Sequence, residues 1–113
     1  MGYSTEEQDR YQGWTNYETW AVKLHMDNEQ SSQEYWAKRA QEEAEAAEAN
    51  KFGTTKERVA VRELADCLQI EHERALPELQ GFAGDLLTAA LCEVNWYEIA
   101  ESLLEAVLEN ATA

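Results

Sequence analysis

The stretch NWYEIAESLLEAVL, residues 95–108, decides the fold because it has the pattern of one long amphipathic helix. Its apolar residues recur at intervals of three and four, which places them on one face of an α-helix. Asn95, followed by Glu98 three positions later, is a helix-start signature. The predicted apolar face consists of Trp96, Ile99, Ala100, Leu103, Leu104, Val107 and Leu108.

The segment before this stretch predicts another amphipathic helix. Pro77 is expected in its first turn, because proline has no N–H to donate there and its φ already suits a helix. The apolar stripe of this helix is the cleanest in the preceding chain and consists of Leu79, Phe82, Ala83, Leu86, Leu87, Ala90 and Leu91.

Three earlier helices are predicted, each introduced by a Ser or Thr with Glu three positions later. The first is expected to start at Thr15 or Asn16, and the second to stop near Gly53, a left-handed cap candidate. The third ends before Pro77, because proline interrupts a helix that precedes it. The three capping boxes lie at residues 15–18, 31–34 and 54–57.

These segments specify an all-α domain, a compact bundle of about five helices over residues 14–113. Residues 1–13 are polar and show no periodicity, so we expect a short flexible N-terminal arm there. A chain of 113 residues is too short for a second core. Its single proline and five glycines are too few for an all-β sandwich.

The composition is strongly acidic, with 9 Lys and Arg against 23 Asp and Glu and a formal net charge of −14. Such a surface repels phosphates, so direct binding to nucleic acid or to an anionic membrane is not expected. The sequence shows no signal-peptide pattern and no long apolar stretch. We therefore expect a cytoplasmic protein.

Residues suited to catalysis or metal binding are few, and we expect no enzyme, no cofactor and no metal site. Cys67 and Cys92 lack C-x-x-C spacing and are expected to be buried free thiols. His72 is expected at a helix interface, and its spacing from Cys67 puts the two on different faces of one helix. His25 and Glu29 provide only two ligands, which is too few for a zinc site.

The acidic residues are distributed unevenly along the chain. All nine basic residues lie at or before Arg74, whereas residues 75–113 contain seven acids and no base. Helical spacing joins several acids into a ridge on the last helix and a shorter ridge on the second. These ridges either mimic nucleic-acid phosphates or are ordinary solvated helix faces. They consist of Glu98, Glu101, Glu105 and Glu109, and of Glu42, Glu45 and Glu48.

Aromatic residues cluster in the stretch GWTNYETW, residues 13–20. Two interpretations stay open, because large aromatic side chains anchor small cores and also anchor protein interfaces. The candidate core or motif residues are Trp14, Asn16, Tyr17, Trp20, Trp36 and Trp96.

With this stretch the sequence resembles a family of small acidic proteins from phages, plasmids and related mobile elements, whose signature reads approximately G-W-x-N-Y-x-T-W. Many relatives also end in a segment similar to EVNWYEIAE, residues 93–101 here. The family has no assigned activity. The resemblance implies a setting in which small acidic helical proteins often antagonise host defence, for instance as DNA mimics that block restriction enzymes or CRISPR effectors.

Two functional hypotheses follow. In the first, a non-enzymatic accessory protein binds and inhibits a basic, nucleic-acid-binding host protein through its acidic helical face. In the second, the chain is an interaction or assembly module that uses the aromatic motif, and its acidity serves only solubility. A homodimer is compatible with both, because the strongly apolar last two helices could share their burial.

Overall fold

The computed structural model describes residues 10–48 and 55–112. Five helices lie within these ranges and no strand does, which confirms the predicted all-α class. The predicted helix stop at Gly53 lies outside the described residues. The helices are α1 (Tyr17–Asn28), α2 (Gln30–Ala46), α3 (Lys56–Ala75), α4 (Gly81–Glu93) and α5 (Trp96–Thr112).

The core lies where α2, α3 and α5 pack against one another, and α1 packs against α2 and α5 at one side. The apolar face predicted for the last helix supplies much of this core, although Leu108 at its end is exposed. The buried apolar residues are Met26, Trp36, Ala40, Ala60, Leu64, Ala65, Leu68, Trp96, Ile99, Ala100 and Leu104.

The helix starts fall close to the predicted capping boxes but not at their first residues. Asn16, not Thr15, caps α1, and Thr55 caps α3. α2 begins at Gln30, so Ser31 lies inside the helix instead of capping it. Asn is only a slightly better N-cap than Thr, so the local pattern left both candidates open for α1, and the bond of Asn16 to the Glu93 carbonyl accompanies the choice of Asn16.

α4 differs from the prediction in its start and in its packing. It begins at Gly81, whose φ of 66° is outside the helical region, so no continuous helix runs from Pro77. Among the described helices α4 contacts α1, and none of its residues is buried. Leu87 is half-buried, whereas Phe82 and Leu86 are exposed. The predicted apolar stripe is therefore divided between α1 and solvent.

Candidate partner-binding surfaces

Polar side chains at the starts of α1 and α5 form one hydrogen-bond network. Asn16 Oδ1 accepts the backbone N–H of Thr19 at 2.9 Å, and Asn16 Nδ2 donates to the Glu93 carbonyl at 2.6 Å. The fully buried Thr19 Oγ1 donates to Asn16 Oδ1 at 2.6 Å and accepts the Asn95 N–H at 2.8 Å. Asn95 Oδ1 in turn accepts the N–H of Glu98 at 3.1 Å. We call these five residues the capping network.

The Glu98 side chain also belongs to this network. Its Oε1 accepts the backbone N–H of Thr15 at 3.0 Å, and its Oε2 lies 3.4 Å from Arg10 Nη2. Its side chain is only 20% exposed. Glu98 therefore connects α5 to the chain before α1, a structural role that its place in the acidic ridge did not indicate.

A two-residue turn precedes the network. Gln12 and Gly13 have φ values of 50° and 87°, and both positions of such a turn require positive φ. Tyr11 and Trp14 pair across the turn through backbone hydrogen bonds of 2.7 and 2.8 Å, and Arg10 donates to the Gly13 carbonyl. Residues 10–13 of the expected N-terminal arm thus form a defined turn, and residues 1–9 lie outside the described part.

An apolar groove with acidic edges lies between α3 and α5. It encloses about 280 Å³, and its floor is formed by side chains such as Val61 and Leu104. Three carboxylates and one lysine surround it, and we call it the acidic groove. Its lining residues are Ala44, Lys56, Glu57, Ala60, Val61, Glu101, Leu104, Glu105 and Leu108.

Glu101 and Glu105 are the two residues of the acidic ridge that line the acidic groove. Both are exposed, and within the described residues the structure gives neither carboxylate a hydrogen bond or an ion pair. They also line a second cleft of about 380 Å³, which borders Trp14 and Arg10. A cationic side chain can therefore reach them from either side.

The other predicted acidic residues lie elsewhere. Glu109 is exposed near the end of α5 and does not line the groove. The α2 residues Glu42, Glu45 and Glu48 are also exposed, and none of them lines the groove. Glu45 accepts a hydrogen bond from Gln41 on its own helix. The two ridges thus do not converge on one depression.

The aromatic motif is divided between the core and the surface. Trp14 packs against the core, as an anchor would. Tyr11, Tyr17 and Trp20 instead contact one another at the surface, with ring centroids 4.9–5.5 Å apart. Tyr17 is 55% exposed. We call these three residues the aromatic cluster.

The other two tryptophans lie in the core around His72. The imidazole stacks on Trp36 with centroids 5.5 Å apart and lies at the same distance from the Trp96 ring. Its Nδ1 donates to the Leu68 carbonyl at 2.7 Å. His72 therefore has the interfacial position that its spacing predicted. Trp96 Nε1 is buried without a hydrogen-bond partner among the described residues, and nothing in the structure explains it.

The polar contacts around Cys67 do not activate the thiol. Arg39 Nη2 donates to Cys67 Sγ at 2.9 Å, but burial raises the pKa of this half-buried thiol, so it stays protonated and weakly nucleophilic near neutral pH.

The Tyr35 hydroxyl donates to Glu71 at 2.6 Å, and this hydrogen bond raises the pKa of Tyr35. Cys92 is exposed, so the expectation of two buried thiols was wrong for this residue.

The described residues contain no cluster of three or more side chains suited to a metal ion. Within the same ranges, no helix combines the length and apolar character needed to cross a bilayer.

Comparison with known proteins gives a family and no function. No curated protein matched the chain, and no solved structure did. A family described as "Family of unknown function (DUF7249)" matches residues 7–111, a range that holds the turn, the capping network and all five helices apart from the last residue of α5. The chain therefore belongs to this family of unknown function, DUF7249.

Proposed function

We propose that this chain is a non-enzymatic protein that binds and inhibits a basic, nucleic-acid-binding host protein through the acidic groove. The proposal rests on Glu101 and Glu105, whose exposed carboxylates lie at the edge of an apolar groove. Neither carboxylate has a hydrogen bond or an ion pair among the described residues. Neighbouring like charges on a helix destabilise it by a few tenths of a kcal/mol. A basic partner would relieve that repulsion.

The groove adds a contact that charge alone does not provide. A segment with alternating basic and apolar residues can pair its cations with Glu101 and Glu105 while an apolar side chain enters between Val61 and Leu104. Because DNA-binding surfaces are rich in Lys and Arg, such a segment is typical of the proposed partner. The protein itself would contact neither nucleic acid nor membrane.

The biological setting is part of the same proposal. The resemblance of residues 13–20 and 93–101 to small acidic proteins of phages and mobile elements supports an accessory protein that acts in the host cytoplasm. Interference with restriction or CRISPR defence by DNA mimicry fits this setting, and no residue favours one system over the other.

A pull-down from bacterial lysate tests the proposal, with nucleic acid removed beforehand. A captured protein should be released by added duplex DNA and by high salt, because the contact is electrostatic and uses the partner's DNA-binding surface. Glu101→Lys with Glu105→Lys should abolish capture. Asp66→Lys with Glu73→Lys, exposed on α3 and outside the groove, changes the net charge equally and should preserve it. Capture that survives DNA, or is lost equally in both variants, would contradict the proposal.

The aromatic cluster supports a second candidate, an interaction module that uses apolar contact. This candidate rests on the exposed ring of Tyr17, which contacts the rings of Tyr11 and Trp20. In this case capture should resist salt and should fail in Tyr17→Ala, while Glu101→Lys with Glu105→Lys binds as the parent does.

A further inference from the structure

A cleft with two arginines lies beside the acidic groove. It measures about 400 Å³ and is lined by Arg58, Val61 and Arg62 of α3 and by Tyr97 and Glu101 of α5. Val61 and Glu101 line the acidic groove as well, so a bound segment that extends past these two side chains enters the cleft. We call it the arginine cleft.

The polar groups of the arginine cleft are available to a partner. Arg58, Arg62 and Tyr97 are exposed, and within the described ranges the side chains of Arg58 and Tyr97 have no hydrogen bond or ion pair. Arg62 has one ion pair, at 3.7 Å to the adjacent Glu63, and such a solvent-exposed contact contributes little. Neither arginine pairs with Glu101, although all three residues line the cleft.

The positions of these cations do not favour the helix that carries them. Lys56 and Arg58 lie in the first turn of α3, next to the positive end of the helix dipole. Arg58 and Arg62 are four residues apart, so their like charges repel each other. A bound anion would relieve this repulsion, as a basic partner would relieve that between Glu101 and Glu105.

The charges of the two neighbouring sites specify the chemistry of the bound segment. Cations that pair with Glu101 and Glu105 would come close to the two arginines, and a segment with only basic side chains would be repelled there. A carboxylate avoids this repulsion, because a guanidinium group can bind it through two parallel hydrogen bonds. The exposed Tyr97 hydroxyl is a further donor. The arginine cleft therefore favours a segment that contains an acid and disfavours a wholly basic one, which is how interfaces gain specificity.

We propose that the arginine cleft binds an Asp or Glu side chain of the partner, so that the bound segment carries an acid beside its basic and apolar residues. This inference rests on the proposed function and narrows it. The partner surface is of mixed charge, and the binding site differs from a copy of DNA phosphates because one end of it is cationic.

The affinity of the host protein captured in the pull-down, once it is purified, tests the inference. Arg58→Ala with Arg62→Ala should weaken binding about fivefold or more, because the partner's carboxylate loses its ion pair. If the cleft bound no acid, the same variant would bind a basic partner more tightly, since it is more negative by two charges. The direction of the change therefore decides between the two.

The matched control is Lys38→Ala with Arg74→Ala, which removes the same charge at exposed positions outside the groove and the cleft. It should bind at least as tightly as the parent. The melting temperature of Arg58→Ala with Arg62→Ala should not fall, because both side chains are exposed and alanine favours a helix. Unchanged or tighter binding by the arginine variant, or a loss no greater than in the control, would overturn the inference.

Glu101→Lys with Glu105→Lys separates this inference from the proposed function. If this variant loses binding while Arg58→Ala with Arg62→Ala keeps it, the acidic groove stands as the binding site and only the role of the arginine cleft is refuted. If Glu101→Lys with Glu105→Lys binds as the parent does, the proposed function fails and the inference fails with it.

Discussion

Replacing Thr19 with valine tests whether the capping network holds the start of α1 against the start of α5. Valine has nearly the same shape, so packing is kept while the bonds of Oγ1 to Asn16 and Asn95, at 2.6 and 2.8 Å, are lost. Each lost bond costs about 1 kcal/mol, and the Asn95 N–H left without a partner adds about 1 kcal/mol more. We expect Thr19→Val to lower the free energy of unfolding by about 3 kcal/mol.

Urea denaturation followed by far-UV circular dichroism measures this loss. A domain of this size should also melt about 10 °C earlier. Thr15→Val is the matched control, because the exposed Thr15 Oγ1 only accepts a long bond of 3.5 Å from Asn95 Nδ2 and should cost less than about 0.5 kcal/mol. Equal effects of the two substitutions would refute the reasoning.

Three further predictions concern single residues. Because hydrogen bonding to Glu71 raises the pKa of Tyr35, this group stabilises the fold below the ordinary tyrosine pKa of ~10 and loses that contribution as pH rises through the raised value. Tyr35→Phe should therefore lose less stability than the parent in urea titrations at alkaline pH, and equal losses would contradict this. Burial raises the pKa of Cys67, so a thiol reagent should modify the exposed Cys92 faster than Cys67. Equal modification rates of the two thiols would contradict this prediction. Gly84→Ala, which normally stabilises a helix by ~0.5–1 kcal/mol, should instead lower the melting temperature because its Cβ meets the Leu79 carbonyl, and a rise would disprove that overlap.

Features set by local sequence could be predicted, and α5 is the clearest case. Its apolar spacing and its Asn95 cap both lie within a few residues, and both are found in the structure. The choice of Asn16 over Thr15 as the α1 cap could not be predicted in the same way. It accompanies the bond of Asn16 to the Glu93 carbonyl and the bond of its partner Thr19 to the Asn95 N–H, both more than 70 residues apart in the chain.

The candidate site also combines features that local sequence predicted with features that depend on distant contacts. The helix-start signature placed Glu98 in the first turn of α5, but only the folded chain shows that its carboxylate contacts Thr15 and Arg10 whereas that of Glu101 stays accessible. Periodicity likewise predicted α4 as a helix, but it carries no information on which element covers an apolar side chain. The exposure of Phe82 therefore appears only in the folded chain.

The affinity of the captured host protein for charge-reversed variants tests the central claim most directly. With that protein purified, Glu101→Lys with Glu105→Lys should weaken its binding by ~10-fold or more, equal to ~1.4 kcal/mol. Asp66→Lys with Glu73→Lys should change it by much less, although the net charge of both variants is the same. Equal dissociation constants for the two variants would show that only total charge matters, and would contradict a binding site at the acidic groove.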